Sequence, residues 1–425
     1  MSDGLALDYE SPRQRARIYY GWVVVVVAAL AMVATFPARS IGRGLITESL
    51  LIDLKMDRVA FGWLTLWATL IGSTFSLACG PLIDRLGTRL VLTVNALFLG
   101  ATVLAMSRVQ SITALGITLT LTLGLGQSAL SVVSISIVGK WFVRRIDAAM
   151  AVYAAIVSVC FIAAFGGIQV AVERAGWRAA WAGIGWSLLL GVAPLALLLV
   201  RRTPESCGLC VDGGGHTPER KQEEIQFGAT LGEALRTPAF WSFAISAAVF
   251  NLIFTGVTTF AEAIVKERGF YDPATFRNAG ITLASGGLIA NFVGGWLARK
   301  WAHGRLMAVG MLIVTAALLI LPYGHGNWAL MTYALLMGVA GGVITVVFFG
   351  CWNKAFGRAH LGKIQGAAQV MTVLASAMGP FILAEGERHR GSIAATFLIL
   401  APIVALLAVI CWFVPVPIAS NPSGK

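Results

Sequence analysis

The sequence predicts an all-α membrane protein, with twelve transmembrane helices in two pseudo-symmetric six-helix bundles and both termini cytoplasmic. Three observations predict it. Of 425 residues, 57% are hydrophobic and only 12% are charged, about half the charged share of a soluble domain. That leaves too few charges to cover a water-facing surface, and it excludes an ordinary cytosolic enzyme or a disordered chain. The apolar residues also fall in runs that suit a bilayer core, which takes about 20 helical residues to cross. Finally, the chain repeats itself at a period close to half its length.

The expected spans are 19–46, 59–82, 90–107, 112–138, 147–172, 177–200, 240–264, 275–298, 306–323, 328–352, 362–384 and 392–414. Runs of this length suit helices, which satisfy their own backbone hydrogen bonds in hydrocarbon, and not barrel strands. The first follows a charged tail, 1–18, with no small-residue cleavage site close behind the apolar run. It reads as an uncleaved span, not a signal peptide, and it is long enough to tilt or to emerge on the outer side. Pro194, Pro322 and Pro380 lie inside spans, where membranes tolerate them.

The one long polar interval, 201–238, holds Pro204, Gly213-Gly214-Gly215 and Pro218. It reads as a cytoplasmic linker with a short helix near 228–236. The expected organisation is a cytoplasmic tail over 1–18, a bundle over 19–200, the linker over 201–238, a second bundle over 239–414 and a cytoplasmic tail over 415–425.

With the N-terminus inside, twenty of the 32 Lys and Arg fall on inner segments, the bias expected of cytoplasmic loops. The net charge of +12 therefore reads as membrane orientation and lipid-headgroup contact. No run of five like charges suggests a nucleic-acid tail, so no nucleic-acid partner is expected. Four of the six cysteines lie in apolar stretches, where a thiol behaves as a small hydrophobe. Cys207 and Cys210 have the spacing of half a metal site, but only His216 offers a third ligand. No metal and no cofactor is expected. The sequence also offers no phosphate-binding glycine loop and no nucleophile–histidine pair within the spans, so the chain does not read as an enzyme.

The repeat is read at two places. Lys140, Phe142 and Arg144 follow the fourth span, and Lys354, Phe356 and Arg358 follow the tenth, at an offset of 214. Gly80 to Arg85 follow the second span, and Gly295 to Lys300 follow the eighth, at an offset of 215. Both places are inner loops, so the two halves share one orientation. Parallel halves with a site between them near the midplane are a known transporter plan.

Gly80-Pro81-Leu82-Ile83-Asp84-Arg85-Leu86-Gly87-Thr88-Arg89 resembles the signature between the second and third helices of the major facilitator superfamily. It meets the pattern at Gly80, Leu82, Asp84, Arg85, Gly87 and Arg89, and the resemblance extends over about 19–414. It implies a fold of two rocking six-helix bundles, a first helix that lines the central cavity, and a latch at this segment that shuts the inner side. Arg299 stands where the second copy would place its acid. Tyr19-Tyr20-Gly21-Trp22, Gly139-Lys140-Trp141-Phe142 and Gly176-Trp177-Arg178 resemble the bacterial monocarboxylate-transporter and oxalate/formate-antiporter branch. That resemblance implies a small organic anion as cargo.

An ionisable group in lipid is costly, so the few within spans stand out. Arg39 and Arg43 lie four apart on the outer half of the first span, on one helix face. A guanidinium stays charged and can hold a carboxylate with a two-toothed fork, so these two are read as anion ligands. The alternative is snorkelling to headgroups or pairing with Glu48 or Asp53. In the seventh span Asn251, Thr255, Thr258 and Glu262 form one polar stripe. Asn251 and Thr255 are substrate-binding candidates, and Glu262 is the proton-coupling candidate unless it pairs with Lys266. In the fourth span Thr120, Gly124, Gln127, Ser131 and Ser134 form another stripe, with Gln127 either in the cavity or acting as helix–helix glue. The stripe Gln365, Gln369, Thr372, Ser376 reads as glue. Tyr153, Asn291 and Phe348 are read as packing residues more than pocket ones, and Asp147 as a helix cap.

The expectation is a monomeric secondary transporter in a cell membrane, of bacterial inner-membrane type. Its partners are a small-molecule substrate, an organic anion and foremost a monocarboxylate, together with the lipid bilayer and protons in symport. The alternatives are an exporter of amphipathic compounds, a carrier of neutral solutes, or a non-transporting membrane receptor.

Overall fold

The computed structural model describes residues 19–142, 146–201, 207, 229–324, 326–356 and 361–415. Hydrocarbon leaves the backbone no outside partner, and every described element is helical. In chain order these are α1 (Gly21–Val33), α2 (Ser40–Gly44), α3 (Thr47–Leu54), α4 (Arg58–Ser73), α5 (Phe75–Leu86), α6 (Thr88–Met106), α7 (Ile112–Thr122), α8 (Ser131–Trp141), α9 (Ile146–Ser187) and α10 (Ala193–Leu199). There follow α11 (Leu231–Leu235), α12 (Pro238–Thr259), α13 (Ala261–Glu267), α14 (Pro273–Lys300), α15 (His303–Tyr323), α16 (Gly326–Phe356), α17 (Leu361–Arg390) and α18 (Ile393–Phe413). Among the described residues, ten helical stretches are long and apolar enough to cross a membrane.

The helix starts follow from local chemistry. Asp57, Ser111, Thr237, Asp272 and Ser392 each accept a hydrogen bond from a backbone N–H in the first turn of the helix that follows, covering a donor the helix itself cannot satisfy. Pro238 and Pro273 occupy first-turn positions, where a missing N–H costs nothing. The short linker helix, α11, carries a reciprocal cap between Thr230 and Glu233.

Several spans are less regular than expected. The stretch Ala149–Leu199 has 51 residues, too many for one crossing. It breaks at Gly176, whose φ of 80° and ψ of 160° suit glycine alone, so the spans expected at 147–172 and 177–200 both lie on it. The span expected at 59–82 is divided between α4 and α5. The fourth span runs from α7 through a π-helical turn, Leu123–Leu130, into α8. The first span, expected to be one helix, is interrupted between α1 and α2.

Packing falls into two sets. Within the first, α1 lies against α8 and α9, α4 against α7, and α6 against α9; within the second, α12 lies along α17, α14 along α16, and α15 against α16 and α18. Three broad contacts join the sets: α4 with α17, α9 with α14, and α2 with α12.

The sets meet through close glycine contacts at the end that the charge count assigns to the outside. A Cβ on Gly44 would lie 2.0 Å from the Thr258 carbonyl oxygen, and one on Gly62 would lie 2.8 Å from the Phe381 Cα. A Cβ on Gly280 would reach the Phe165 ring at 2.0 Å. Around these contacts Arg58 pairs with Glu48 at 2.9 Å and also with Glu387 of the other set, and Arg277 pairs with Glu173 across the same seam at 3.3 Å. Part-exposed pairs of this kind are each worth at most about 1 kcal/mol. The contacts of Gly44 and Gly62, where backbone meets backbone, set how tightly this end closes.

Gly44→Ala therefore penalises only the arrangement in which α2 touches α12. With Thr69→Cys as a reporter inside the molecule, an impermeant thiol reagent applied from the outer side should react faster in the Gly44→Ala background than without it. Equal rates would show that the close approach does not hold the outer end shut.

Candidate functional site

Pro37 explains the interruption of the first span. It has no N–H to donate, and its ring clashes with the carbonyl four residues back. The chain leaves α1 at Val33, makes a 3-10 turn over Phe36–Ala38 and passes Arg39 in an extended conformation, φ −80° and ψ 147°, before α2 begins. The Arg43 N–H still donates to the Arg39 carbonyl at 3.0 Å, so the two arginines remain neighbours although they do not share one continuous helix. Interrupted helices at mid-depth are where transporters build their sites.

Both arginines line a cavity of about 450 Å³ between the two helix sets. Gln127, Asn251 and Thr255 line it as well, so the five residues proposed from the sequence as substrate ligands come together in one place. Around them stand Ser40, Thr69, Tyr153, Ser158 and Ser376, with Met32, Ile41, Val157, Phe161 and Phe254 supplying apolar wall. Thr69, Ser40, Ser158 and Phe254 were not singled out in the sequence, because each is an ordinary residue of an apolar run. Ser376 belonged to a stripe read as glue, and its hydroxyl does share a 2.8 Å hydrogen bond with Thr255 across the α12–α17 contact.

The two arginines differ in what holds them. Arg39 donates from Nε to Thr35 Oγ1 at 3.1 Å, and from one terminal nitrogen to Ser131 Oγ at 2.9 Å and Met32 Sδ at 3.1 Å. All three acceptors are neutral. Arg43 is only 3% exposed, and its Nε and one terminal nitrogen are buried without any hydrogen-bond partner. Among the described residues, neither arginine belongs to an ion pair. A buried donor left unsatisfied costs about 1–3 kcal/mol, and more when charged. Two of the Arg43 donors thus stay unsatisfied in this conformation, with no surface open to the cavity that the side chain lines.

The rest of the lining is neutral. Asn251 spends one amide N–H on the Ala247 carbonyl at 2.8 Å. Tyr153 sits 2.8 Å from Ser134, whose single proton goes to the Ala28 carbonyl at 2.7 Å. The phenol must then donate to the serine, which leaves its oxygen lone pairs for other partners.

The remaining sequence candidates fall elsewhere. Glu262 does not continue the Asn251–Thr255 stripe. Phe260, at φ −107° and ψ 26°, ends α12, and Glu262 opens α13. It forms an ion pair with Lys266 at 2.8 Å, the pairing weighed as its alternative, and it is not among the residues lining the cavity. Of the predicted latch, the side chains at Gly80 and Asp84 lie outside the described residues. Arg85 is exposed, Gly87 takes a φ of 82° at the start of α6, and Arg89 donates to the Leu197 carbonyl at 2.7 Å. Arg144, Arg358, Cys210 and His216 also lie outside the described residues, as do the side chains of Asp147, Asn353 and Lys354. Asn291 packs at the close approach of α14 and α16, and Phe348 packs on the rings of Phe349 and Trp352.

The motifs behind the branch resemblance serve packing. Tyr19 donates to the Trp141 carbonyl at 3.1 Å and meets the Phe142 ring edge-on, and Tyr20 donates to the Leu199 carbonyl at 2.7 Å. Trp177 and Arg178, just past the Gly176 turn, both hold Asp53, at 2.8 and 3.3 Å.

A cavity between two helix sets, lined by two cations that no described acid neutralises and closed at one end by contacts between the sets, is the construction of a membrane carrier. The Major Facilitator Superfamily family model matches residues 27–380 and 279–425, and the chain belongs to that superfamily. It is a multi-pass membrane protein and a secondary transporter, not an enzyme. Two solved structures share the fold, both of a bacterial homolog to the human lysosomal transporter Spinster in inward-facing conformations. The unoccupied form is 15% identical, with a TM-score of 0.66 over 94% of this chain and 96% of that one. The occupied form is also 15% identical, with a TM-score of 0.70 over 96% of this chain and 100% of that one. No curated protein matches the chain. These matches define the superfamily and do not separate its monocarboxylate branch from the others.

Because Arg43 is buried without a partner, Arg43→Met should raise the melting temperature of the cargo-free protein while abolishing the further rise that a bound organic anion produces. A melting temperature that falls on substitution would mean that Arg43 is a structural residue.

Proposed function

We propose that the protein carries amphipathic organic anions across the membrane by alternating access. Two six-helix halves, 19–200 and 239–414, rock about the cavity, with both chain termini cytoplasmic and the 80–89 segment latching the inner side. The observation that carries this reading is the unpartnered Arg43 beside Arg39, in a cavity whose other walls are aliphatic, aromatic and neutral-polar. The acid group of a cargo would complete the arginines' hydrogen bonding. Its apolar body would lie against Ile41, Val157, Phe161 and Phe254. Size supports the amphipathic reading over the narrower expectation of a short monocarboxylate, because a cavity of about 450 Å³ falls in the range that encloses drug-sized ligands. A short monocarboxylate is the second reading, favoured by the fork of Arg39 and Arg43.

Uptake into proteoliposomes separates them. Labelled octanoate should be transported and should outcompete lactate, pyruvate and oxalate, while octanamide should not compete. Preference for the short acids would return the cargo to the second reading, and competition by octanamide equal to octanoate would end the anion proposal. Arg39→Lys keeps the charge and loses the planar fork, so octanoate affinity should fall about tenfold.

Proton symport through Glu262 is a separate proposal. It rests on the position of a carboxyl near the outer end of the seventh span, and it competes with the Lys266 ion pair. An inward proton gradient should accelerate uptake in the unsubstituted protein and leave Glu262→Gln unaffected. A variant that still responds fully to the gradient would clear Glu262 of coupling.

A further inference from the structure

We infer that the π-helical turn of the fourth span is the positioning element for Arg39, with Gly126 and Ser131 as its positioning residues. What Arg39 binds rests on the anion reading above; how Arg39 is held does not.

Two irregular segments meet at this point. One is the 3-10 turn Phe36–Ala38, which ends on the residue before Arg39; the other is the π turn Leu123–Leu130, which ends on the residue before Ser131. They are in direct contact. At the centre of that contact a Cβ on Gly126 would lie 2.6 Å from the Ala38 Cβ, with the next neighbours, Leu99 side-chain atoms, at 3.4 Å or beyond. Only a hydrogen at position 126 lets the backbone reach Arg39 along its present path. The same turn packs tightly on the second span, where a Cβ on Gly72 would lie 2.9 Å from the Gly124 nitrogen.

Ser131 then fixes the guanidinium. Its hydroxyl lies 3.3 Å from the Gly126 carbonyl, five residues back, which is the spacing of a π turn. A serine hydroxyl has one proton. With that proton directed at Gly126, Ser131 faces Arg39 as an acceptor, at 2.9 Å. The π turn thus supplies both the gap that admits Ala38 and the lone pair that orients the cation, and π turns recur at functional sites.

The test is a mutational cycle on purified protein, read by octanoate binding. Gly126→Ala should weaken binding about tenfold, and adding Ala38→Gly should restore it to within about threefold, a coupling that contact residues show and distant ones do not. Ser131→Ala, which adds no bulk, should weaken binding about fivefold while Ser131→Thr keeps the acceptor and retains affinity. In an Arg39→Ala background neither Gly126→Ala nor Ser131→Ala should weaken binding further. A cargo-free readout accompanies these. In Arg39→Cys, the labelling rate by a methanethiosulfonate should change at least about threefold on adding Gly126→Ala and return on adding Ala38→Gly.

Binding and labelling unchanged by Gly126→Ala would overturn the inference. So would losses that persist undiminished in the Arg39→Ala background, which would mark the turn as structural. Unsubstituted protein that binds no octanoate would end the anion reading alone, and the labelling cycle would then decide the positioning claim.

Discussion

A guanidinium removed from water must be answered by something, and the middle of this molecule is arranged around that demand. Arg39 is met by a hydroxyl from its own span, a hydroxyl from the fourth span and a thioether. Arg43 is met by nothing at two of its nitrogens. No acid cancels either charge among the described residues. Even moderate scales put an arginine at the centre of a membrane helix at about 2.5–3.5 kcal/mol. A fold that carries two of them with no acid beside them among the described residues accepts a stability cost of the kind that accompanies function.

The rest of the architecture makes this tolerable. Regular helices would have left no opening between the sets, since each would satisfy its own backbone and close against its neighbours. Instead Pro37 interrupts the first span, the fourth carries a π turn, and Phe260 ends the seventh. Each interruption lies beside the cavity or at its outer edge, and glycines let the pieces approach closely enough to remain packed. The end where the two sets meet is treated differently. There Gly44, Gly62 and Gly280 bring the two sets together, and charged pairs ring the seam.

Much of this was legible in the sequence, for local reasons. Long apolar runs declare membrane helices, and Asp57, Asp272 and Ser392 mark helix starts by a short side-chain bond within their own turn. Arg39, Arg43, Gln127, Asn251 and Thr255 stood out because polar groups are scarce in such runs, and they line one cavity. What escaped depends on contacts between distant residues. The π turn answers Ala38, nearly ninety positions away. Arg58 and Glu387 meet across 329 positions. The stripe from Asn251 to Glu262 assumes helical periodicity through Phe260, where the backbone turns. Pro37 is not among the prolines noted within spans, and membrane helices tolerate proline often enough that its break does not follow from its identity alone.

One feature of the cavity divides labour along the chain. Both cations belong to the first span, whereas the amide of Asn251 and the hydroxyls of Thr255 and Ser376 come from the later half. The charged part of the lining is therefore encoded in one short stretch of the gene, and the neutral lining, drawn from both halves, in others. A duplicated ancestor could change what its descendants accept by altering one stretch and leaving the others intact, and a breeder of new carriers inherits the same freedom.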